Sequence, residues 1–368
     1  MEVVKTKIVD IKTGIIKASL KKPFITALRR AIEVEDVIVK IITDEGLEGF
    51  GEAAPTPAIT GETHGSIIEA IEKFIKPAII GMNIEDFEEI IKKINNSILH
   101  NTSAKAACDI ALYDILSKYY EVPLYQFLGG AKKSISTDIT ISLNDIEKMV
   151  LDSIEAVNQG FNTLKIKVGG DYKKDIQRVK AIREAVGEKI NLRVDANQGW
   201  KTKEAIFAAN EIAKYNIELL EQPVKAYDLE GLKEVTKNSP IPVMADESIF
   251  SPYDAVKIIS MKAADIINIK LMKCGGIYNA LKINSLAESA GIECMVGSMM
   301  ECKVSVTAAA HLAAAKSNIT RCDLDAPFLL NNDPVIGGIF YNGSDITFSE
   351  GFGLGIEKIE LKNEIFGE

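Results

Sequence analysis

From about residue 134 onward, short apolar runs end on a polar side chain at a nearly constant interval. The positions are Thr140, Lys165, Asp195, Glu221, Asp246, Lys270, Ser298 and Asp323, spaced 24 to 30 residues apart. Amphipathic helical patterns lie between the runs. Residues 172–186 place Ile176, Val179, Ile182 and Val186 on one side, and Ser251-Pro252 offers an N-cap with proline at the first helical position. Regular alternation of strand and helix predicts parallel strands joined by crossovers, and eight steps is the count of a (β/α) barrel. The units do not repeat in sequence, so the period is architectural. No G-x-G-x-x-G turn follows a strand and no Walker pattern is present, which speaks against a nucleotide-binding open sheet.

The N-terminal third has another texture. Residues 2–13 and 34–43 read as strands, with a loop at 21–30 between them. A Gly-rich loop runs from Gly46 to Gly61, and helical patterns follow at 64–75, 84–98 and 103–120. This is an α+β unit, with Gly129-Gly130 as its boundary. A net charge of −9 without a basic run argues against nucleic acid. No apolar stretch is long enough for a bilayer and no secretory leader is apparent, so a cytoplasmic protein that does not engage membrane is expected. The five cysteines are scattered without a Cys-x-x-Cys pair, as in a reduced protein that uses them for neither disulfides nor zinc. With three histidines in the chain, catalysis is expected to run on other groups.

In Leu164-Lys165-Ile166-Lys167-Val168, strand alternation turns both lysines to one face and the apolar residues to the other. Taken alone this reads equally as an edge strand with lysines toward water. Asp195, Glu221 and Asp246 end the next three runs. Three converging carboxylates in a low-dielectric mouth call for a cation, and an all-oxygen donor set suits Mg²⁺. Lys270 ends the sixth run, across the barrel from Lys165 and Lys167. Lysines on both faces of a metal-bound substrate suit removal of a proton α to a carboxylate, with its return on the opposite side. A neighbouring cation and partial burial would depress the lysine pKa into the range of a base.

These residues carry a resemblance. Lys165-Ile166-Lys167, the Asp195/Glu221/Asp246 triad and Lys270 resemble the motif of the enolase superfamily, most closely its muconate-lactonising subgroup, over the whole chain. The resemblance implies an α/β fold: a (β/α)7β TIM-type barrel (129–327) under an α+β capping domain (1–128), completed by a C-terminal segment (328–368) that returns to the cap. Loops in the 20s and 50s would close over the mouth. It further implies Lys167 and Lys270 as acid/base pair, Lys165 on the substrate carboxylate, one Mg²⁺ per subunit with Asn197 supporting its shell, and a homo-oligomer.

Asp323-Leu324-Asp325 puts two carboxylates on one face of the eighth strand, suited to an ammonium group. The subgroup's dipeptide epimerases hold a dipeptide N-terminus at this place. Arg29 resembles the residue that binds a second carboxylate, although adjacent Arg30 competes for that role. Thr140, Ser298, Met299 and Met300 match positions lining the substrate. The resemblance thus implies a dipeptide substrate, with epimerisation at Glu of an Ala-Glu dipeptide in murein-peptide turnover. N-acylamino-acid racemase, o-succinylbenzoate synthase and cycloisomerase activities share the lysines and metal but need no ammonium site. A Schiff-base lyase and a non-catalytic peptide-binding protein are the more distant alternatives.

Overall fold

The computed structural model describes residues 6–362 and 365–367. Its first sheet is antiparallel, β1 (Ile8–Ile25), β2 (Arg30–Thr43) and β3 (Glu48–Ala53) in sequence order. Residues 2–5 of the expected first strand lie outside the described residues. The expected loop at 21–30 is mostly strand. β1 and β2 slip register between Ser19 and Phe24, then pair again at Phe24 with Ala31 and Ile25 with Arg30. The bulge lets Lys21-Lys22-Pro23 pass without a partner, and only residues 26–29 turn. The Gly-rich stretch also hides a strand. A Cβ on Gly51 would lie 1.8 Å from Ala107 O, and one on Gly49 2.2 Å from Ala111 O. β3 packs directly on the backbone of the helix Thr102–Tyr119, which leaves room for glycine alone.

After the short β4 (Ser134–Ser136) come eight parallel strands in consecutive order. They are β5 (Ile139–Ile141), β6 (Thr163–Lys167), β7 (Asn191–Asp195), β8 (Ile217–Glu221), β9 (Val243–Ala245), β10 (Ile266–Lys270), β11 (Glu293–Gly297) and β12 (Ile319–Asp323). Side-chain and main-chain bonds join β12 to β5: Asp138 N to Cys322 O (3.3 Å), Leu324 N to Thr137 Oγ1 (2.8 Å) and Thr140 N to Asp325 Oδ2 (2.6 Å). Leu219, Met244, Ile266 and Met295 form an apolar layer inside the ring. Leu164, Ile166 and Val168 join the core shared with the helices, where each large aliphatic contributes about 1.5–3 kcal/mol by leaving water. β6 is therefore flanked on both sides, not an edge strand. Ser251 caps the helix Pro252–Met261, its hydroxyl accepting from Asp254 N at 3.2 Å.

The remaining strands are β13 (Val335–Gly337), β14 (Ile339–Asn342), β15 (Asp345–Phe348), β16 (Ile356–Glu360) and β17 (Ile365–Gly367). β15 pairs with β4, and Lys362 N and Asn331 N reach Ile15 O and Ser19 O of β1. Two buried carboxylates from the N-terminal unit seat on barrel helices. Asp109 accepts from Ile277 N and Tyr278 N of the helix Ile277–Ser289, and Glu52 accepts from Cys302 N and Ser305 N at the start of Lys303–Ala315. Each answers orphan N–H groups at a helix N-terminus, which ties the cap unit to the rim of the barrel.

Candidate active site

Strand register sets the level of the site. Lys167 pairs with Asp195 and Asp195 with Glu221, while Lys270 pairs with Gly297 and Gly297 with Asp323. Side chains at the C-terminal ends of six strands thereby converge. They open into a cavity of about 50 Å³ lined by Lys167, Asp246, Lys270, Asp323 and Asp325. Thr140, Asn197 and Ser298 line it as well. Phe24, Thr26, Leu28 and Arg29 cover it from the 20s, and Ile59 from the 50s. Met299 and Met300 form a further wall.

Lys165 lies beneath, fully buried, with Glu221 Oε2 at 2.6 Å, Asp323 Oδ2 at 2.7 Å and Asp195 Oδ2 at 3.2 Å. Burial disfavours its charge, but the combined pull of Asp323, Glu221, Asp195 and Asp138 outweighs that and holds it well above the ordinary lysine value. Lys167 sits 2.6 Å from Asp195 Oδ2, and Lys270 2.9 Å from Asp246 Oδ2. Burial pulls Lys270 down and Asp246 lifts it further, so it too stands above its usual range. Carboxylates surround both lysines, and their charge sets this upward direction.

The triad's donor chemistry fits a divalent cation. All three carboxylates are buried, and Asn197 Oδ1 beside them has no hydrogen-bond partner among the described residues. Burial and the charge of Asp195 push Glu221 up to about 8, and burial with Asp246 pushes Glu247 up to about 7. This is a pocket with more negative charge than its lysines neutralise. The triad's oxygens are turned onto ammonium groups. Among the described residues, the donors that gather within 4.8 Å are instead those of Asp36, Glu52 and Cys302, at the cap–barrel boundary.

The structure adds residues that sequence reasoning passed over. Lys273, buried, contacts Asp246 Oδ1 and its carbonyl oxygen. Asn268 donates to Glu221 Oε1 at 2.7 Å, and it shares a strand face with Lys270 by the same alternation that pairs Lys165 with Lys167. Glu247 accepts from Asn197 Nδ2 at 3.2 Å and lines the pocket. Gln222 accepts Asp246 N at 2.9 Å and donates to Ser248 Oγ at 2.8 Å, with its backbone at φ 31°. Asn197 is left-handed too, at φ 42°. Such backbone in non-glycine residues is strained and concentrates at functional sites. Arg29 lines the pocket, whereas Arg30 is exposed on β2.

A barrel of eight parallel strands, capped by a separate sheet and bearing its polar residues at the strand ends, defines the class. The chain matches the mandelate racemase / muconate lactonizing enzyme N-terminal domain over residues 10–129 and the enolase C-terminal domain-like family over 149–361. It belongs to the enolase superfamily and is an isomerase. It is 58% identical to the L-Ala-D/L-Glu epimerase of Clostridium acetobutylicum, over 95% of this chain and 98% of that one. It is 49% identical to the hydrophobic dipeptide epimerase of Enterococcus faecalis, over 95% and 99%. The solved structure of a substrate-liganded complex of the L-Ala-D/L-Glu epimerase from Bacillus subtilis superimposes with a TM-score of 0.95 at 49% identity, covering 96% of this chain and 100% of that chain.

Proposed function

We propose that the chain is a Mg²⁺-dependent dipeptide epimerase acting on L-Ala-D/L-Glu, which inverts the Glu Cα by moving one proton between two lysines. The observation that carries this reading is one pocket with Lys167 and Lys270 on facing strands, Asp323 and Asp325 together on its floor, and Arg29 overhead. The guanidinium of Arg29 has no hydrogen-bond or ion-pair partner among the described residues, so it is available to a second carboxylate.

Lys167 and Lys270 approach from β6 and β10, which leaves the reacting carbon between them. One lysine removes the α-proton and the other returns a proton to the opposite face. Lys165, held as a cation by three carboxylates beneath the pocket, would steady the substrate carboxyl oxygens, where negative charge builds as the proton leaves. Asp195, Glu221 and Asp246 would hold Mg²⁺, with Asn197 beside them; bound there, the ion supplies positive charge against the developing enolate. Asp246 raises Lys270 most, with Glu221 and Asp323 adding to it, so Lys270 becomes a better base when the Asp246 carboxylate is engaged elsewhere.

Asp325 accepts Thr140 N, and burial with the charge of Asp323 pushes it up to about 6. A substrate ammonium relieves that crowding. An N-acylated amino acid, which brings no ammonium, fits this floor less well. The apolar wall of Phe24, Leu28, Ile59 and Met300 favours a second reading, a dipeptide with a large apolar residue, and the E. faecalis relative has been solved with Mg and L-Leu-L-Tyr. Turnover of L-Ala-L-Glu against L-Leu-L-Tyr and N-succinyl-L-Glu separates the three. The proposal includes a cytoplasmic homo-oligomer serving murein-peptide turnover. Among the described residues no helix is long and apolar enough to cross a membrane.

A further inference from the structure

Behind the Met299–Met300 wall, where β2 and β3 meet the loop after β11, three acids are buried together: Asp36, Glu52 and Glu301. No lysine, arginine or histidine nitrogen lies within 4.0 Å of any of them among the described residues. Their bonds are to main-chain N–H groups and one hydroxyl. Cys302 N stands 2.7 Å from Glu52 Oε1 and 3.3 Å from Asp36 Oδ2, so one hydrogen is offered to two carboxyls. Ser305 N donates to Glu52 Oε2 at 2.8 Å, and Met299 N to Glu301 Oε1. Ser305 Oγ lies 3.1 Å from Glu52 Oε2 and 2.5 Å from Glu301 Oε2. A serine hydroxyl has one hydrogen. It can donate to one carboxyl and must accept from the other, which therefore carries a proton. Asp36 Oδ2 and Glu52 Oε1 share the single Cys302 N–H, which holds two carboxyl oxygens close together without a cation between them. Proton count, not metal ligation, is what this geometry satisfies, since the carboxyl oxygens already hold N–H donors.

The cluster also faces Arg29. Asp36 and Glu301 are the carboxyls whose charge acts on that guanidinium. The other charged or titratable groups around it are Lys270 from β10, Cys302, and Asp333 with Lys303 beyond it. We infer that Asp36, Glu52 and Glu301 are positioning residues that share protons, and that their protonation leaves the Arg29 charge free to select an acidic second residue in the dipeptide. This rests on the reading of Arg29 given above. Burial, with Glu52 close by, pushes Glu301 up to about 7, and burial lifts Asp36 well above the carboxylate range, in agreement with the proton count. Loss of the shared proton adds a negative charge beside Arg29 and weakens its hold on a substrate carboxylate.

The test compares kcat and KM for L-Ala-L-Glu and its neutral isostere L-Ala-L-Gln from pH 6 to 9, in the wild type, Glu301→Gln, Asp36→Asn and Arg29→Met. The wild-type preference for Glu over Gln should fall about tenfold across the range, through KM, as one added unit charge at partial screening requires. Glu301→Gln keeps shape and hydrogen bonding and should flatten the profile at its low-pH level, and Asp36→Asn should reduce the slope if Glu301→Gln does not fold. A wild-type preference that is constant with pH, or a slope that persists in both folded variants, overturns the inference. If Arg29→Met abolishes the preference while either of those results holds, the cluster proposal fails and the Arg29 reading stands. If Arg29→Met leaves the preference intact, both fail.

Discussion

The Lys165 ammonium lies 2.7 Å from Asp323 Oδ2, while Asp325, two residues on, contacts no lysine among the described residues and takes the Thr140 amide. The two aspartates of the eighth strand are thus not equivalent. Asp323 already neutralises Lys165, and Asp325 has charge to spare for a substrate ammonium. Asp325→Asn should raise KM for L-Ala-L-Glu about tenfold or more with a smaller change in kcat, the cost of an unmet charged hydrogen bond. Asp323→Asn should lower kcat as well, because it releases the counterion of Lys165. Steady-state kinetics of the two variants distinguishes these patterns. Equal effects on kcat would refute the division.

Arg29 and Arg30 are adjacent but face different surroundings, the first in the pocket roof and the second exposed on β2. Arg29→Met is expected to raise KM for L-Ala-L-Glu by about 10- to 100-fold, the range for a lost charged contact. Arg30→Met should change it less than about twofold. A damaging Arg30→Met beside a silent Arg29→Met would refute this division of roles.

The metal site is expected to be coupled to stability. Chelation by EDTA should abolish turnover, and added Mg²⁺ should restore it and raise Tm. At 100 times Kd the gain is about 2.7 kcal/mol if the unfolded chain binds none. Glu221→Gln should remove most of that Mg²⁺-dependent rise in calorimetry. An unchanged rise would place the ion outside the Asp195–Glu221–Asp246 triad.

Asp109 gives a pH dependence of folding away from the pocket. Burial pushes it up to about 8, although Ile277 N and Tyr278 N donate to it. The folded carboxyl holds its proton more tightly than the unfolded one, whose pKa is near 3.9. Its contribution is therefore greatest below about 4, falls as pH rises toward 8, and is level above that. Asp109→Asn should flatten urea-unfolding free energy over that window relative to wild type. A steeper dependence in the variant would contradict the buried protonated state.

Much of the architecture could be read from residues that act locally. Strand-end spacing and the face-sharing of Lys165 and Lys167 depend on chain periodicity, so the barrel and the level of its mouth were legible. β1 and β2 were underestimated because a bulge interrupts their pairing at Lys21-Lys22-Pro23. β3 has the local look of a loop because its glycines are set by contact with a helix more than fifty residues on. Lys273, Glu247 and Gln222 escaped because their significance lies in bonds across strands, and Glu301 because its partners Glu52 and Asp36 arrive from another sheet. Asn268 was within reach, since it stands two residues before Lys270 on the same face.

The two-lysine exchange is tested most directly by proton NMR of L-Ala-L-Glu in D₂O with Mg²⁺. The wild type should lose the Glu Cα proton signal while L-Ala-D-Glu appears. Lys167→Ala and Lys270→Ala should each lose epimerisation by about 10³-fold or more, with one of them still exchanging the Cα proton of a single diastereomer. Retention of the Glu Cα signal by the wild type, or full epimerisation by either lysine variant, would contradict the account.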